Sequence, residues 1–345
     1  MIELVKGNIV QDDAEALVNT VNCVGVMGRG IALQFKKAFP ANYSKYKAFC
    51  DTGKMQPGVM FVYDLHRLHS PRYIINFPTK RHWKGESRLD DIALGLKTLA
   101  EEIRRLQIKS IAIPPLGCGL GGLDWAIVRP MIVDALQSLP EVRVLLHEPG
   151  GAPPSERMTR APVVPVMTEG RAALFGLMRQ YLTAVMEPAI TLLEVHKLMY
   201  FMQEAGEPLR LRYSKASYGP YAENLRHVLI PIEGYWITGY GDGEDRPDKP
   251  LELLPDAAAE SEEFLAGHET TRLRFERVAE LTKGFESTFG MELLSTVHWV
   301  ATREHATSVD DAIDRAHAWN ERKGMFEPHH IRLAWERLQK QGWLR

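Results

Sequence analysis

The sequence has little of what marks a secreted, membrane-bound or metal-holding chain. Only three cysteines occur in 345 residues, Cys23, Cys50 and Cys118. None is in CxxC spacing, which argues against a disulfide framework or a structural zinc and for free thiols in a reducing compartment. No run of about 18 apolar residues is present, so no membrane-spanning helix and no membrane partner are expected. The opening MIELVKGNIV lacks a basic stretch followed by an apolar core, so the expectation is a cytoplasmic chain without a signal peptide. The phosphate-loop pattern GxxxxGK[ST] is missing, against a nucleoside triphosphatase. No GxGxxG sits in a βαβ unit with an acidic residue about 20 positions on, against a dinucleotide-binding dehydrogenase.

What is there reads as an ordinary globular protein, 45% apolar and 25% charged. The length is generous for one core and predicts two domains. Glu148–Val166, EPGGAPPSERMTRAPVVPV, is rich in proline, glycine and small polar residues without periodicity, and reads as an extended linker. The expected division is a first domain over 1–148, a linker over 149–166 and a second domain over 167–345. Residues 1–150 hold 19 Lys and Arg against 15 Asp and Glu, the remainder 23 against 29, so the halves lean to opposite charge.

The first half alternates strands and helices. MIELVKGNI, ALVNTVN, GVMFVYDL, YIINFP, SIAIPPL and VRVLLHE read as strands. IALQFKKAF, NYSKYKAFC, DDIALGLKTLAEEIRRLQI and LDWAIVRPMIVDALQSL read as helices, the third with its apolar stripe at Ile92, Leu96, Leu99 and Ile103. This predicts a three-layer α/β/α sandwich with a mixed sheet. Two of its strands feed glycine-rich loops that open onto helices. Gly25, Gly28 and Gly30 follow ALVNTVN; GCGLGG, Gly117–Gly122, follows SIAIPPL. Unpaired backbone N–H groups and a helix dipole at such a place favour an anion, and two such loops in one small domain predict a phosphate-bearing ligand held from both sides. Asn22 beside the first loop offers an amide to a sugar hydroxyl. A tight, ligand-free connection is the plainer alternative for either loop alone.

The stretches VKGNIVQDDAEALVNTVN, GVMGRGIALQFKK, NFPTK and PPLGCGLGGLDW together resemble a macrodomain, the ADP-ribose-binding fold. Within it, MGRGIALQFKK, TK and LGCGL are similar to the branch that hydrolyses ADP-ribosyl bonds with a lysine, and nearest to the antitoxin glycohydrolases that reverse DNA ADP-ribosylation by a partner toxin. The resemblance implies adenine contacts at Asn8 and Ile9. It implies a ribose and diphosphate lining from Thr20, Asn22, Met27, Gly28, Arg29, Gly30, Ile31, Ala32 and Leu33, with Thr79 beside them. Gly117, Cys118, Gly119, Leu120 and Gly121 would close over the diphosphate. Lys80 would be the catalytic group, attacking or polarising the anomeric carbon of the distal ribose, with its pKa lowered by desolvation and by Arg81, Lys84 and His82. Relatives acting on protein acyl linkages carry an acid where this chain has Gly121, so a protein-linked substrate is disfavoured and the acid–base partner of Lys80 stays unnamed. Asp124, three positions on, is the nearest acid in that loop. Arg81, His82, Trp83 and Lys84 are candidate contacts to DNA phosphate and bases.

Other residues read more plainly. His66 and His69 have i, i+3 spacing without carboxylates, His329 and His330 open a helix at the surface, and Cys118 has no His/Asp arrangement to activate it; no metal is expected. The second half reads as mainly helical, with RAALFGLMRQYLTAVM, TLLEVHKLMYFMQEAG (capping box Thr191–Glu194), YGPYAENLRHVL, TRLRFERVAELTKGF, MELLSTVHWVAT, SVDDAIDRAHAW and HHIRLAWERLQKQ as helices and a short hairpin near GYWITGYGDG. Met199, Phe201, Met202, Tyr218, Pro220 and Tyr221 read as core. KLMYFMQEAG and YGPYAENL resemble Panacea-type antitoxin domains, which neutralise toxins by direct binding. The acidic run from Gly241 to Phe264 reads as a solvated loop, or as a mimic of the DNA backbone.

The resulting expectation is an antitoxin. Its first domain removes ADP-ribose from single-stranded DNA, at thymine, releasing ADP-ribose without a cofactor, and its second binds the cognate ADP-ribosyltransferase toxin. The alternatives are a hydrolase of protein-linked or O-acetyl ADP-ribose, and a non-catalytic ADP-ribose reader fused to an interaction domain.

Overall fold

The computed structural model describes residues 1–150, 158, 163–241 and 243–344. Most of the expected linker, and Asp242 of the acidic run, lie outside the described residues. The chain divides into two compact units, Met1–Pro162 with Asp242–Glu244, and Val163–Gly241 with Asp245–Arg345.

In the first unit the elements run β1 Ile2–Val5, β2 Ala16–Asn22, α1 Gly30–Ala38, α2 Pro40–Asp51, β3 Phe61–Asp64, β4 Tyr73–Lys80, α3 Leu89–Arg105, β5 Ser110–Ile113, α4 Trp125–Leu136 and β6 Arg143–His147. The six strands form one sheet in the order β1-β6-β5-β2-β4-β3, parallel except for β3, which pairs antiparallel with β4 at an edge. Alternation along the central strands gives the sheet two apolar faces. Ala16 and Val18 of β2 and Tyr73, Ile75 and Phe77 of β4 point into a core with Ile92, Leu96, Leu99 and Ile103 of α3 and Val128 and Ile132 of α4. Leu17 and Ile74 point the other way, toward Phe35 of α1, Phe39 and Ile9. This is the mixed-sheet α/β/α sandwich, and the apolar stripe of α3 is buried as its spacing predicts. Gly95 lets α3 lie against the Phe77 ring, where a Cβ would collide.

The first strand is shorter than MIELVKGNI predicts. It stops at Val5, and a 3-10 turn over Ile9–Gln11 follows, with Asn8 as its N-cap. Asn19 lies in the middle of β2. That residue is fully buried inside the strand, donating to Asn76 Oδ1 at 2.9 Å, while Asn76 donates to Asn42 Oδ1 at 2.8 Å and ties α2 to the sheet.

The second unit runs α5 Glu169–Val185, β7 Ile190–Thr191, α6 Leu192–Glu204, β8 Ser214–Ala216, β9 Gly219–Tyr221, α7 Arg226–Ile232, β10 Ile237–Thr238, β11 Pro250–Leu253, α8 Pro255–Ala266, α9 Glu269–Thr282, α10 Thr288–Thr302, α11 Val309–His317 and α12 Pro328–Lys340. It is largely helical, with one core in which Met199, Phe201 and Met202 are buried. Tyr218 is exposed at a hairpin tip instead of in the core. Three local expectations change. YGPYAENLRHVL opens as strand β9 and becomes helical only from Glu223, first as a 3-10 turn and then as α7. Ile237–Thr238 does not close a hairpin within GYWITGYGDG but pairs with β11. The acidic run is not a solvated loop: it contains β11 and α8, because Ala257, Ser261 and Leu265 recur every fourth residue and bury one face. Asp256, Glu260, Glu262 and Glu263 stay exposed on α8. No helix among the described residues is long and apolar enough to cross a membrane.

Candidate active site

At the carboxyl edge of the parallel strands, β2 lies between β5 and β4. The connections leaving these three strands are loop 1 (residues 23–29), loop 2 (114–124) and the segment 81–88. An α/β sheet opens a ligand crevice where adjacent strands send their chains to different places, and this is such a place.

Loop 1 is shaped by Asn22. Its Oδ1 accepts from the N–H groups of Val24 and Val26 at 3.0 and 3.2 Å, and its Nδ2 donates to Val26 O at 2.6 Å. Both ends of the amide are thus engaged by the loop itself, and Asn22 acts here as the loop's template. Tyr46 of α2 donates to the Asn22 carbonyl. Met27 is buried with Val21, Tyr46, Cys50 and Met55, so it anchors the loop from below. Gly28, Arg29 and Gly30 remain partly exposed above it. Arg29 is the N-cap of α1 and makes no side-chain cap bond; the positive end of the helix dipole lies at this turn. Ile31 and Ala32 pack partly against the cores and Leu33 is buried. Thr20 is half-buried within β2.

Loop 2 is a run of tight turns. Cys118 N–H donates to Pro115 O, Gly122 N–H to Gly119 O and Leu123 N–H to Gly117 O, all at 3.0–3.1 Å. Gly117 has φ +72°, a conformation that requires glycine here. The N–H groups of Gly119, Leu120 and Gly121 find no acceptor among the described residues, three successive donors of the kind that cradle phosphate. Burial pushes the Cys118 thiol up to about 11, which makes it a poor nucleophile. Asp124 caps α4, its Oδ1 accepting from Ala126 N–H at 2.8 Å. The loops meet at Leu120, whose Cδ1 would lie 3.7 Å from a Cβ on Gly30.

Lys80 ends β4 beside both loops. The pairing Val21↔Pro78 is followed by Asn22↔Lys80, so Thr79 is an extra residue that shifts the register. Such a bulge re-aims the next side chain. Thr79 Oγ donates to Val21 O at 3.4 Å, and Lys80 Nζ donates to the Leu120 carbonyl of loop 2. Desolvation lowers the Lys80 pKa; the field of Glu86 opposes it. The sequence reading placed that lowering partly on Arg81, Lys84 and His82. Arg81 is instead locked to Asp91 of α3 by two hydrogen bonds of 3.0 and 2.9 Å. His82 stacks on Trp83 with ring centroids 5.5 Å apart, and Lys84 Nζ stands 4.9 Å over the Trp83 ring. Of the four candidate DNA contacts, these last three make an outward tip and Arg81 its anchor.

At the far end of the edge, Asn8 Oδ1 accepts from Val10 N–H at 3.2 Å and Ile9 is buried, so the proposed adenine contacts flank the β1 exit. His66 and His69 are exposed between β3 and β4, and His329 is exposed at the start of α12. Sequence reasoning passed over Glu86, Ser87 and Asp91. They follow the basic tip closely, but the bonds of Ser87 to Gly121 and of Asp91 to Arg81, and the field of Glu86 at Lys80, are set by how the segments cross.

Together these loops define a macrodomain, and the Macro domain family model matches residues 18–132. A DNA ADP-ribosyl glycohydrolase of Thermus aquaticus is 45% identical over 345 residues, 100% of this chain and 95% of the relative. The chain belongs to this DNA ADP-ribosyl glycohydrolase, or DarG, family. A DNA ADP-ribosyl transferase–DNA ADP-ribosyl glycohydrolase fusion protein of Thermosipho africanus is 35% identical over 163 residues, 43% of this chain and 42% of the fusion. Among solved structures, the macrodomain of Mycobacterium tuberculosis DarG is 50% identical, spans 44% of this chain and 99% of its own, and aligns with a TM-score of 0.43.

Proposed function

We propose that the macrodomain hydrolyses the bond joining ADP-ribose to a thymine base of single-stranded DNA, and that Lys80 is its catalytic residue. The observation that carries this is the amine itself. Lys80 Nζ is aimed by a strand bulge at the Leu120 carbonyl, between two loops suited to a diphosphate, and burial lowers its pKa. A lysine with a depressed pKa supplies neutral amine, which attacks or polarises the anomeric carbon once the diphosphate is fixed. The diphosphate would sit on the open N–H groups of loop 2 and the α1 N-terminus, with Asn8 and Ile9 toward the adenine. The His82–Trp83–Lys84 tip would take the strand, a ring for a base and a charge for phosphate.

The second unit would bind and neutralise the cognate DNA ADP-ribosyltransferase, a DarT-like toxin. The fusion of both activities in the Thermosipho relative supports this partnership. The exposed carboxylates of α8 suit a basic nucleic-acid groove. Toxin and antitoxin would meet in the cytoplasm.

A non-catalytic ADP-ribose reader is the competing account, since the bond to Leu120 also makes Lys80 a strut of loop 2. Thymidine-ADP-ribosylated single-stranded DNA separates them. Wild type should release ADP-ribose, and Lys80→Ala should lose at least about a hundredfold in rate while still binding ADP-ribose. Binding without release by either protein would leave the reader.

A further inference from the structure

Hydrolysis through Lys80 needs a group to take and return a proton, and the fold narrows where it can come from. Loop 2 cannot supply it at Gly121, because a Cβ there would collide with Ser87 Oγ and the Gly117 carbonyl oxygen. Asp124 is turned to the N-terminus of α4 by its bond to Ala126 N–H. Asp91 is held by the Arg81 fork. The remaining carboxylate on the connections around Lys80 is Glu86.

Its place is fixed by its neighbour. Ser87 N–H donates to Gly121 O at 3.0 Å, and the Ser87 side chain is buried against Gly117, where a Cβ would meet its Cβ at 3.0 Å. Lys80 and Ser87 thus grip consecutive carbonyls of loop 2, Leu120 through the side chain and Gly121 through the backbone. Glu86 immediately precedes Ser87 in the chain and is exposed, with no hydrogen bond or ion pair to any described residue.

We propose that Glu86 is the acid–base partner of Lys80, an inference that rests on the lysine-dependent hydrolysis proposed above. The Glu86 carboxylate takes a proton from the Lys80 ammonium, leaving neutral amine and neutral carboxyl. The amine bonds to the anomeric carbon as the bond from that carbon to the base breaks, its electron pair leaving on the base atom it joined. The Glu86 carboxyl then protonates that atom and returns to carboxylate. Water attacks the secondary ammonium adduct at the anomeric carbon, giving ADP-ribose and the Lys80 ammonium. Charge and protons balance at each step without a further reactant. Glu86 is also the one charge whose field favours protonated Lys80. The other titratable or charged groups on the surrounding elements are Cys23 and Cys118, both pushed up to about 11 by burial, Arg29, the Arg81–Asp91 pair, His82, Lys84, Arg88, Asp90 and Asp124.

The test compares full-length wild type, Glu86→Gln, Glu86→Asp and Lys80→Ala on thymidine-ADP-ribosylated single-stranded DNA across pH. For Glu86→Gln, kcat should fall by roughly a hundredfold with KM nearly unchanged. The rising limb of its pH–rate profile should move to lower pH, since the carboxylate that favours the ammonium is gone, and Glu86→Asp should recover part of the rate. Wild-type kcat and an unmoved limb in Glu86→Gln, with Lys80→Ala inactive, would overturn the role of Glu86 and leave Lys80 in place. Full activity of Lys80→Ala would overturn both.

Discussion

At the residue scale, two positions in this site are decided by what they lack. Gly117 needs a positive φ, but Gly121 is glycine for room: its missing Cβ is the space that Ser87 Oγ and the Gly117 carbonyl occupy. That carbonyl cannot retreat freely, because Leu123 N–H donates to it at 3.0 Å, and the Gly121 carbonyl is held by Ser87 N–H. One methyl group at 121 must therefore break a turn of loop 2, not merely push a side chain aside. Gly121→Ala is expected to weaken ADP-ribose binding by at least roughly tenfold, about 1.4 kcal/mol, by titration calorimetry. Unchanged affinity would mean that the three open N–H groups beside it do not hold the diphosphate. The same geometry explains why this chain does not carry an acid at that position.

At the scale of elements, periodicity made most of the first unit legible. α3 could be read from Ile92, Leu96, Leu99 and Ile103 alone, and β2 from ALVNTVN to the residue. What stayed hidden depended on contacts between segments distant in sequence. The buried bond from Asn19 to Asn76 has no signal in either strand alone, and α8 reads as solvated charge because its buried face is only Ala257, Ser261 and Leu265. In the site, Lys80 was legible through its motif, whereas the Arg81–Asp91 clamp and the Ser87 contact to loop 2 were not. The β8–β9 hairpin is a further case, since nothing in YGPY announces what holds it. Lys197 of α6 donates to Pro220 O at 2.7 Å from full burial. Nearby, Glu292 of α10 accepts from Lys323 Nζ at 2.5 Å and from Arg322 at 3.2 and 3.0 Å. Lys323 and Glu292 are both fully buried, so removing one charge strands the other. Glu292→Gln should destabilise the second unit by about 3–5 kcal/mol, seen in denaturant unfolding, with little effect on ADP-ribose binding by the macrodomain.

At the scale of the whole molecule, the two units differ in how they meet acid. The second unit buries His196 of α6 and His298 of α10, and desolvation first, then nearby cations, hold both down to about 3 against an ordinary 6.5. Between those values the unfolded chain binds a proton that the folded chain refuses, so folding stability drops as pH falls through that window. Lys197 acts in the same direction at higher pH. Burial first, then Lys323, lowers it to about 7 from 10.5, so its contribution is lost as pH falls from about 10.5 to about 7. All three groups lie in the unit proposed to bind the toxin. In the catalytic unit's site, burial pushes the Cys23 and Cys118 thiols up to about 11, far above that window, and Lys80 is half-buried. Acidification from about pH 6.5 toward 4 should therefore lower the melting temperature of the second unit more than that of the macrodomain. Fluorescence of Trp236, Trp299, Trp319, Trp335 and Trp343 against that of Trp83 and Trp125, in variants keeping one set, would read the two transitions separately. Equal shifts would remove the buried histidines as the cause. A steeper fall in the second unit would mean that toxin binding is lost on acidification before ADP-ribose recognition is.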